Sequence, residues 1–230
     1  LGAITVFSES IRNTIYPIIS KYHQSSVDNL KKFVHLFSKY ILIFLLPFII
    51  GVYHFSYEII SIVFSSEYIL SISMLKIIIW TSISYSFSIL LSGLLIYKNQ
   101  ERKVALALLL SGALSLVLDI TLAPLYGVLV IPTVRVLSSF LQLSLLSFFH
   151  YKISRFGLFQ NKIFLLILIC GSTMLGTTLL LTSMNKVSSF FISLILYLLA
   201  LIISGVLQKQ DKNLLTKIIK EILRSEELNQ

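Results

Sequence analysis

Between Ile163 and Gln208 the chain carries one charged residue, Lys186. It divides the stretch into two apolar runs, Ile163–Ser183 and Val187–Gln208, each near the ~20 residues that take a helix across a bilayer. Apolar and polar side chains do not alternate within them, and the runs are too long for barrel strands. A lipid-exposed backbone must satisfy its own hydrogen bonds, which leaves the helix. Four further runs read the same way: Tyr40–Tyr57, Ile77–Tyr97, Val104–Leu122 and Val128–Phe149. With 56% hydrophobic residues and a mean hydropathy of +0.90, the chain has too little polar surface to coat a soluble domain of 230 residues. The expected fold class is an all-α polytopic membrane bundle with six full transmembrane helices, preceded by the end of an earlier one.

The net charge of +9 raises the question of nucleic acid, and its distribution argues against it. Lys21, Lys31, Lys32 and Lys39 precede the first span. Lys98, Arg102 and Lys103 join the second to the third, and Lys152, Arg155 and Lys162 the fourth to the fifth. Lys209, Lys212, Lys217, Lys220 and Arg224 follow the sixth, whereas the alternate connections hold only Lys76 and Lys186. Basic residues accumulate on the cytoplasmic side of membrane proteins, so both ends of the six-span set are expected in the cytoplasm.

The organisation expected is fourfold. Residues 1–39 hold the end of an earlier helix and a cytoplasmic connection, and residues 40–149 a four-helix part of a bundle. Residues 150–208 supply two additional spans, lipid-facing or peripheral. Residues 209–230 form a basic amphipathic tail helix, with Lys217, Lys220 and Arg224 opposite an apolar stripe, suited to the inner leaflet. The first residue is Leu1 and no signal peptide is visible, so the chain is expected to continue a longer one. The connection from Glu58 to Leu75 is apolar for a loop and reads as an interfacial or re-entrant helix. Cys170 is alone, and no His or Cys pair has metal-ligand spacing, so neither a cofactor nor a metal is expected.

Polar groups inside the apolar runs carry the functional signal. Val104–Leu122 and Val128–Phe149 read as a helical hairpin turning at Ala123–Gly127, with Asp119 on one arm and Arg135 on the other. A charge at mid-membrane costs roughly 2.5–3.5 kcal/mol on insertion scales, so such residues face other helices or a wet cavity. Two readings stand: a structural ion pair, or a substrate or coupling role. Arg135 shares a face with Ser138, Ser139 and Gln142, and Asp119 with Ser111 and Ser115. Ser84, Ser88 and Ser92 lie on one stripe with Thr81 and Tyr85, which serves either close helix packing or the lining of a polar cavity. Arg12 is a third candidate intramembrane charge, or a snorkelling side chain paired with Glu9. Pro47 removes a backbone hydrogen bond from the first span and marks either a hinge or a tolerated kink.

Four stretches together resemble the carboxyl-terminal half of an oligosaccharide or polysaccharide flippase. They are TIYPIISKYHQ (14–24), IISIVFSSEY (59–68), LLIYKNQERKV (94–104) and LSLVLDITLAPLYGVLVIPTVRV (114–136). That family belongs to the multidrug/oligosaccharidyl-lipid/polysaccharide exporter superfamily, with the lipid II flippases as cousins. The resemblance covers about residues 5–150. Ser65 stands where the family often has Gly, and Asp119 where it commonly has Asn. The resemblance implies two bundles around a central cavity, of which this chain would hold most of the second, its partner being a missing amino-terminal bundle. It implies a lipid-linked oligosaccharide as substrate, with glycosyltransferases and a polymerase of the same pathway as partners. The site it suggests is Arg12 and Arg135 for the phosphate, and Ser138, Ser139, Gln142, Ser84 and Ser88 for the sugar. Asp119 would release Arg135 or take up a coupling cation.

A cation-coupled drug antiporter of the same superfamily is the alternative, as is a structural or non-functional membrane fragment. No enzyme is expected, since a membrane-embedded transferase needs Asp, Glu or His clustered at a membrane face. The charge distribution fixes a test of orientation. In a Cys170→Ala background, Asn185→Cys should label with an impermeant thiol reagent added outside intact cells, and Asn99→Cys should not. Labelling of Asn99→Cys from outside reverses the orientation.

Overall fold

The computed structural model describes residues 27–64, 68–158, 161–181, 185–207 and 211, and among these it is helical with no strand. The elements are α1 (Val27–His54), α2 (Ser56–Val63), α3 (Ile69–Ile78) and α4 (Thr81–Tyr97), then α5 (Glu101–Tyr126), α6 (Val130–Ser154), α7 (Asn161–Leu180) and α8 (Lys186–Ile203). Six stretches are long and apolar enough to cross a membrane: Leu30–His54, Leu70–Tyr97, Glu101–Tyr126, Val130–Ser154, Lys162–Leu180 and Lys186–Ile203. Arg12 and the tail residues Lys217, Lys220 and Arg224 lie outside the described residues.

Three expected boundaries move, each for a local reason. The first span begins at Leu30 rather than Tyr40, because Leu30, Phe33 and Val34 bury against Leu90 and Leu94 of α4. Lys39 therefore falls about 14 Å inside an apolar helix, at 1.5 Å per residue. The hairpin turn is shorter than Ala123–Gly127: α5 runs through Pro124 to Tyr126 and stops at Gly127. Gly127 has φ +81° and ψ −176°, a conformation essentially closed to side-chain-bearing residues, and its N–H still bonds the Ala123 carbonyl at 2.9 Å. The Glu58–Leu75 connection is not one interfacial helix. α2 ends at Val63, and α3 continues through Ile79 and Trp80 into α4, so that Leu70–Tyr97 reads as one span.

The helices alternate in direction, which sorts the charges. Lys31, Lys32, Lys98, Arg102, Lys103, Lys152, Arg155 and Lys162 gather at one end of the bundle, the basic end, and Lys76 and Lys186 lie toward the other. At the basic end, Lys98 Nζ donates to Ser154 Oγ at 2.9 Å, and burial lowers the lysine's pKa. His35 Nε2 lies 3.0 Å from the Gly157 carbonyl. At the opposite end, Lys186 Nζ donates to Glu58 at 2.6 Å and holds that carboxyl below its usual range. The pair is largely solvent-facing, so its contribution is small and is lost only as pH falls through the lowered pKa.

α1 is the spine. Its residues Leu42, Ile43, Leu46 and Ile50 share the largest buried cluster with Ile167, Cys170 and Met174 of α7 and Tyr197 and Leu201 of α8. The last two spans are thus seated on α1 by one face, and their other faces carry exposed Leu165, Ile169, Ile195 and Ile202. α7 approaches α1 closely at Gly171, where an added Cβ would meet Leu46 Cδ1 at 2.8 Å. Cys170 packs in this cluster, as a free buried thiol does.

Pro47 has no N–H to give the Ile43 carbonyl one turn earlier. That carbonyl is instead taken by Tyr197 of α8, whose buried hydroxyl donates to it at 3.0 Å. Removing that donor leaves a buried acceptor unpaired. Tyr197→Phe is therefore expected to lower stability in detergent by about 1–2 kcal/mol. In a Pro47→Ala background the restored N–H at position 47 bonds the same carbonyl, and Tyr197→Phe should cost well under half as much. Equal costs in the two backgrounds, measured by thermal unfolding of the four proteins, would show that the hydroxyl does not serve this carbonyl.

Candidate functional site

Three walls line an open cavity of about 670 Å³. α5 contributes Leu108, Ser111, Gly112 and Ser115, which recur every three or four residues and so share one face. α6 contributes Ile131, Arg135, Ser138, Ser139 and Gln142 by the same spacing. Met74 and Ile78 of α3 and Thr81 and Tyr85 of α4 complete it. Gly112 widens the middle, since a Cβ there would meet nothing within 4 Å. Toward the basic end α4, α5 and α6 close on one another through Leu91, Leu95, Val104, Ala107 and Leu146, all buried. The cavity accordingly occupies the middle of the bundle and the half nearer Gly127.

The hydrogen bonds set what this wall offers. Ser138 Oγ donates to the Arg135 carbonyl at 3.1 Å, Ser139 Oγ to Val136 at 2.7 Å and Ser111 Oγ to Leu108 at 3.1 Å. Their protons are committed to their own helices, so they present oxygen lone pairs. Such oxygens accept from a hydroxyl-rich ligand and do not donate to an anion. Donation falls to Arg135 and to the Gln142 amide. Arg135 is exposed, and no carboxylate among the described residues forms an ion pair with it.

Of the two readings left open for Asp119 and Arg135, the ion pair is absent. Asp119 follows Ser115 by one turn on the same face of α5, and its depth matches: about 10 Å from Tyr126, against about 8 Å from Val130 for Arg135. The carboxylate turns back along its own helix, where Ser115 Oγ donates to Oδ2 at 3.4 Å. Its other oxygen, Oδ1, is buried without a hydrogen-bond partner.

Of the remaining sequence candidates, Ser84 and Ser88 are not at the cavity. They are buried, and Ser84 Oγ has no partner. They share the stripe of Thr81 and Tyr85, but only that stripe's first turns reach the opening. Farther along, α1 and α6 close on α4, and the small side chains permit that approach. The stripe therefore serves both readings, cavity at Thr81 and Tyr85 and packing at Ser84 and Ser88.

Two polar features escape sequence reading. Lys39 and Asp211 form a buried ion pair, with Tyr40 Oη donating to the same carboxylate at 3.4 Å. Lys39 reads as part of a connection and Asp211 as part of a tail, and nothing local joins them. His150 is buried, with Ser154 Oγ 3.4 Å from Nδ1 and Nε2 unpartnered. Among the described residues no three His, Cys, Asp or Glu side chains gather to hold a metal. Comparison with family models, curated proteins and solved structures returns no match for this chain.

The cavity should be wet and the serine stripe dry. In a Cys170→Ala background, Ser139→Cys and Gln142→Cys should react with a small water-soluble thiol reagent at least about tenfold faster than Ser84→Cys, because the reacting thiolate needs solvent. Equal rates would mean that water does not enter the cavity, or that the packing at Ser84 is loose.

Proposed function

We propose that this chain is the carboxyl-terminal bundle of a flippase that moves lipid-linked oligosaccharide across the cell membrane. The single observation that carries the reading is Arg135, a guanidinium exposed on a cavity wall and unclaimed by any described carboxylate, with Ser138, Ser139 and Gln142 on the same face. An anionic head group crossing the low-dielectric interior of a membrane needs a cation, and a planar guanidinium suits phosphate. Serine oxygens with committed protons accept from sugar hydroxyls. The cavity volume of about 670 Å³ lies within the ~300–1,000 Å³ of small-molecule sites. The stretch from Leu114 to Val136, which carries much of the family resemblance, forms the turn of the same hairpin and the parts of both arms nearest it. In this reading the basic end faces the cytoplasm, and transport is rocking of this bundle against an amino-terminal one.

One observation favours a second reading. The unpartnered Oδ1 of Asp119 is an acceptor for a proton or a cation, which also fits a cation-coupled drug antiporter. The substitutions separate the two. With the complementary bundle supplied, Arg135→Gln should abolish delivery of lipid-linked sugar to the outer face at near-normal abundance. Asp119→Asn should be mild for a flippase and disabling for a carboxylate-coupled antiporter. Full transport by Arg135→Gln would remove the substrate role.

A further inference from the structure

A second groove, also of about 670 Å³, lies on the opposite side of α6. Thr133, Val136, Leu137 and Phe140 line it, and at 100° per residue they point away from Arg135, Ser138, Ser139 and Gln142. Its other wall carries Ser73, Lys76 and Trp80. Lys76 Nζ sits 5.4 Å over the ring of Tyr53, a residue that also lines the groove. This is the outer flank of the bundle, where Leu137 is 56% and Phe140 41% exposed.

Depth sorts the groove by polarity. Tyr53 is next to the last residue of α1, Lys76 is about 9 Å from Leu70, and Thr133 is about 5 Å from the start of α6. These groups belong to the interfacial level, where Trp and Tyr sit and lysine reaches head groups. Val136, Leu137 and Phe140 continue inward at the level of acyl chains. Charge supplies the remaining argument. Of the two lysines toward this end, Lys186 is paired with Glu58, whereas Lys76 forms no ion pair with a described carboxylate.

We propose that this groove binds an anionic phospholipid, its phosphate at Lys76 and Ser73 and one acyl chain along Val136, Leu137 and Phe140. The tyrosine ring under the ammonium fixes it without neutralising it, leaving a cation at head-group level beside an apolar trough. The site is separate from the Arg135 cavity and does not depend on what that cavity carries.

Trp80 is the only tryptophan in the chain, so its fluorescence reports this groove alone. The test uses the full 230-residue chain in bilayers of phosphatidylcholine containing acyl-brominated phosphatidylglycerol or acyl-brominated phosphatidylcholine of matched chains. Bromine quenches Trp80 only when the lipid occupies its neighbourhood. Phosphatidylglycerol should be favoured over phosphatidylcholine at Trp80 by about fivefold, the worth of one lysine beside an anionic lipid. The preference should fall to parity in Lys76→Gln, persist in Lys76→Arg, and be unchanged in Arg135→Gln. It should also shrink with added salt in the unaltered chain, a measurement that needs no variant. Equal quenching by the two lipids in the unaltered chain, or an undiminished preference in Lys76→Gln, overturns the proposal. Loss of the preference in Arg135→Gln would place the lipid in the other cavity and overturn it too.

Discussion

The carbonyl of Ile43 has no donor in its own helix, because the residue one turn later is Pro47. In water the vacancy would matter little. Inside a bilayer no solvent replaces the missing bond, and an unpaired buried carbonyl is costly. The Tyr197 hydroxyl fills it from the last helix, at 3.0 Å. One interaction thereby joins a proline about two turns from the end of α1 to a tyrosine 150 residues later and fixes where α8 seats on the spine. Around it gathers the largest buried cluster, shared by α1, α7 and α8.

That dependence on specific contacts is what a membrane fold demands. Lipid tails are as apolar as leucine, so no hydrophobic effect drives helix against helix once they are inserted. Close packing and polar contacts decide instead. Gly171 lets α7 reach Leu46, and Ser84 and Ser88 let α4 sit between α1 and α6. Lys39 with Asp211 ties the spine to the chain after α8, and His54, whose Nε2 lies 3.2 Å from the Lys186 carbonyl, docks the far end of the spine onto the start of α8. A buried ion pair adds little net stability, but removing one of its partners is costly.

The two grooves divide α6 between them. One face carries a guanidinium and hydroxyl oxygens toward the interior of the bundle, the other a threonine and apolar side chains toward the flank. Helical pitch alone separates them, so one span presents a polar wall on one side and an apolar one on the other. The inner cavity exists because α4, α5 and α6 are packed by leucines at the basic end and carry small and hydroxyl side chains at the other.

Composition and run length alone determined that the described chain is helical and carries six helices long and apolar enough to cross a membrane, since only an internally bonded backbone survives where water is absent. The alternation of basic connections was equally legible, and the helices sort those residues to one end. So was the face of α6 holding Arg135, Ser138, Ser139 and Gln142, because pitch is local. Tertiary structure decided the rest. Which rotamer Asp119 adopts depends on Ser115 beside it, and so the sequence left open an ion pair that does not form. Whether a serine stripe lines a cavity or a contact depends on where neighbouring helices close, which separated Thr81 and Tyr85 from Ser84 and Ser88. The start of the first span, the Lys39–Asp211 pair and the Tyr197–Ile43 bond all join residues far apart in sequence. Pitch and hydropathy carry no information about such pairings, because they arise only when helices choose their neighbours.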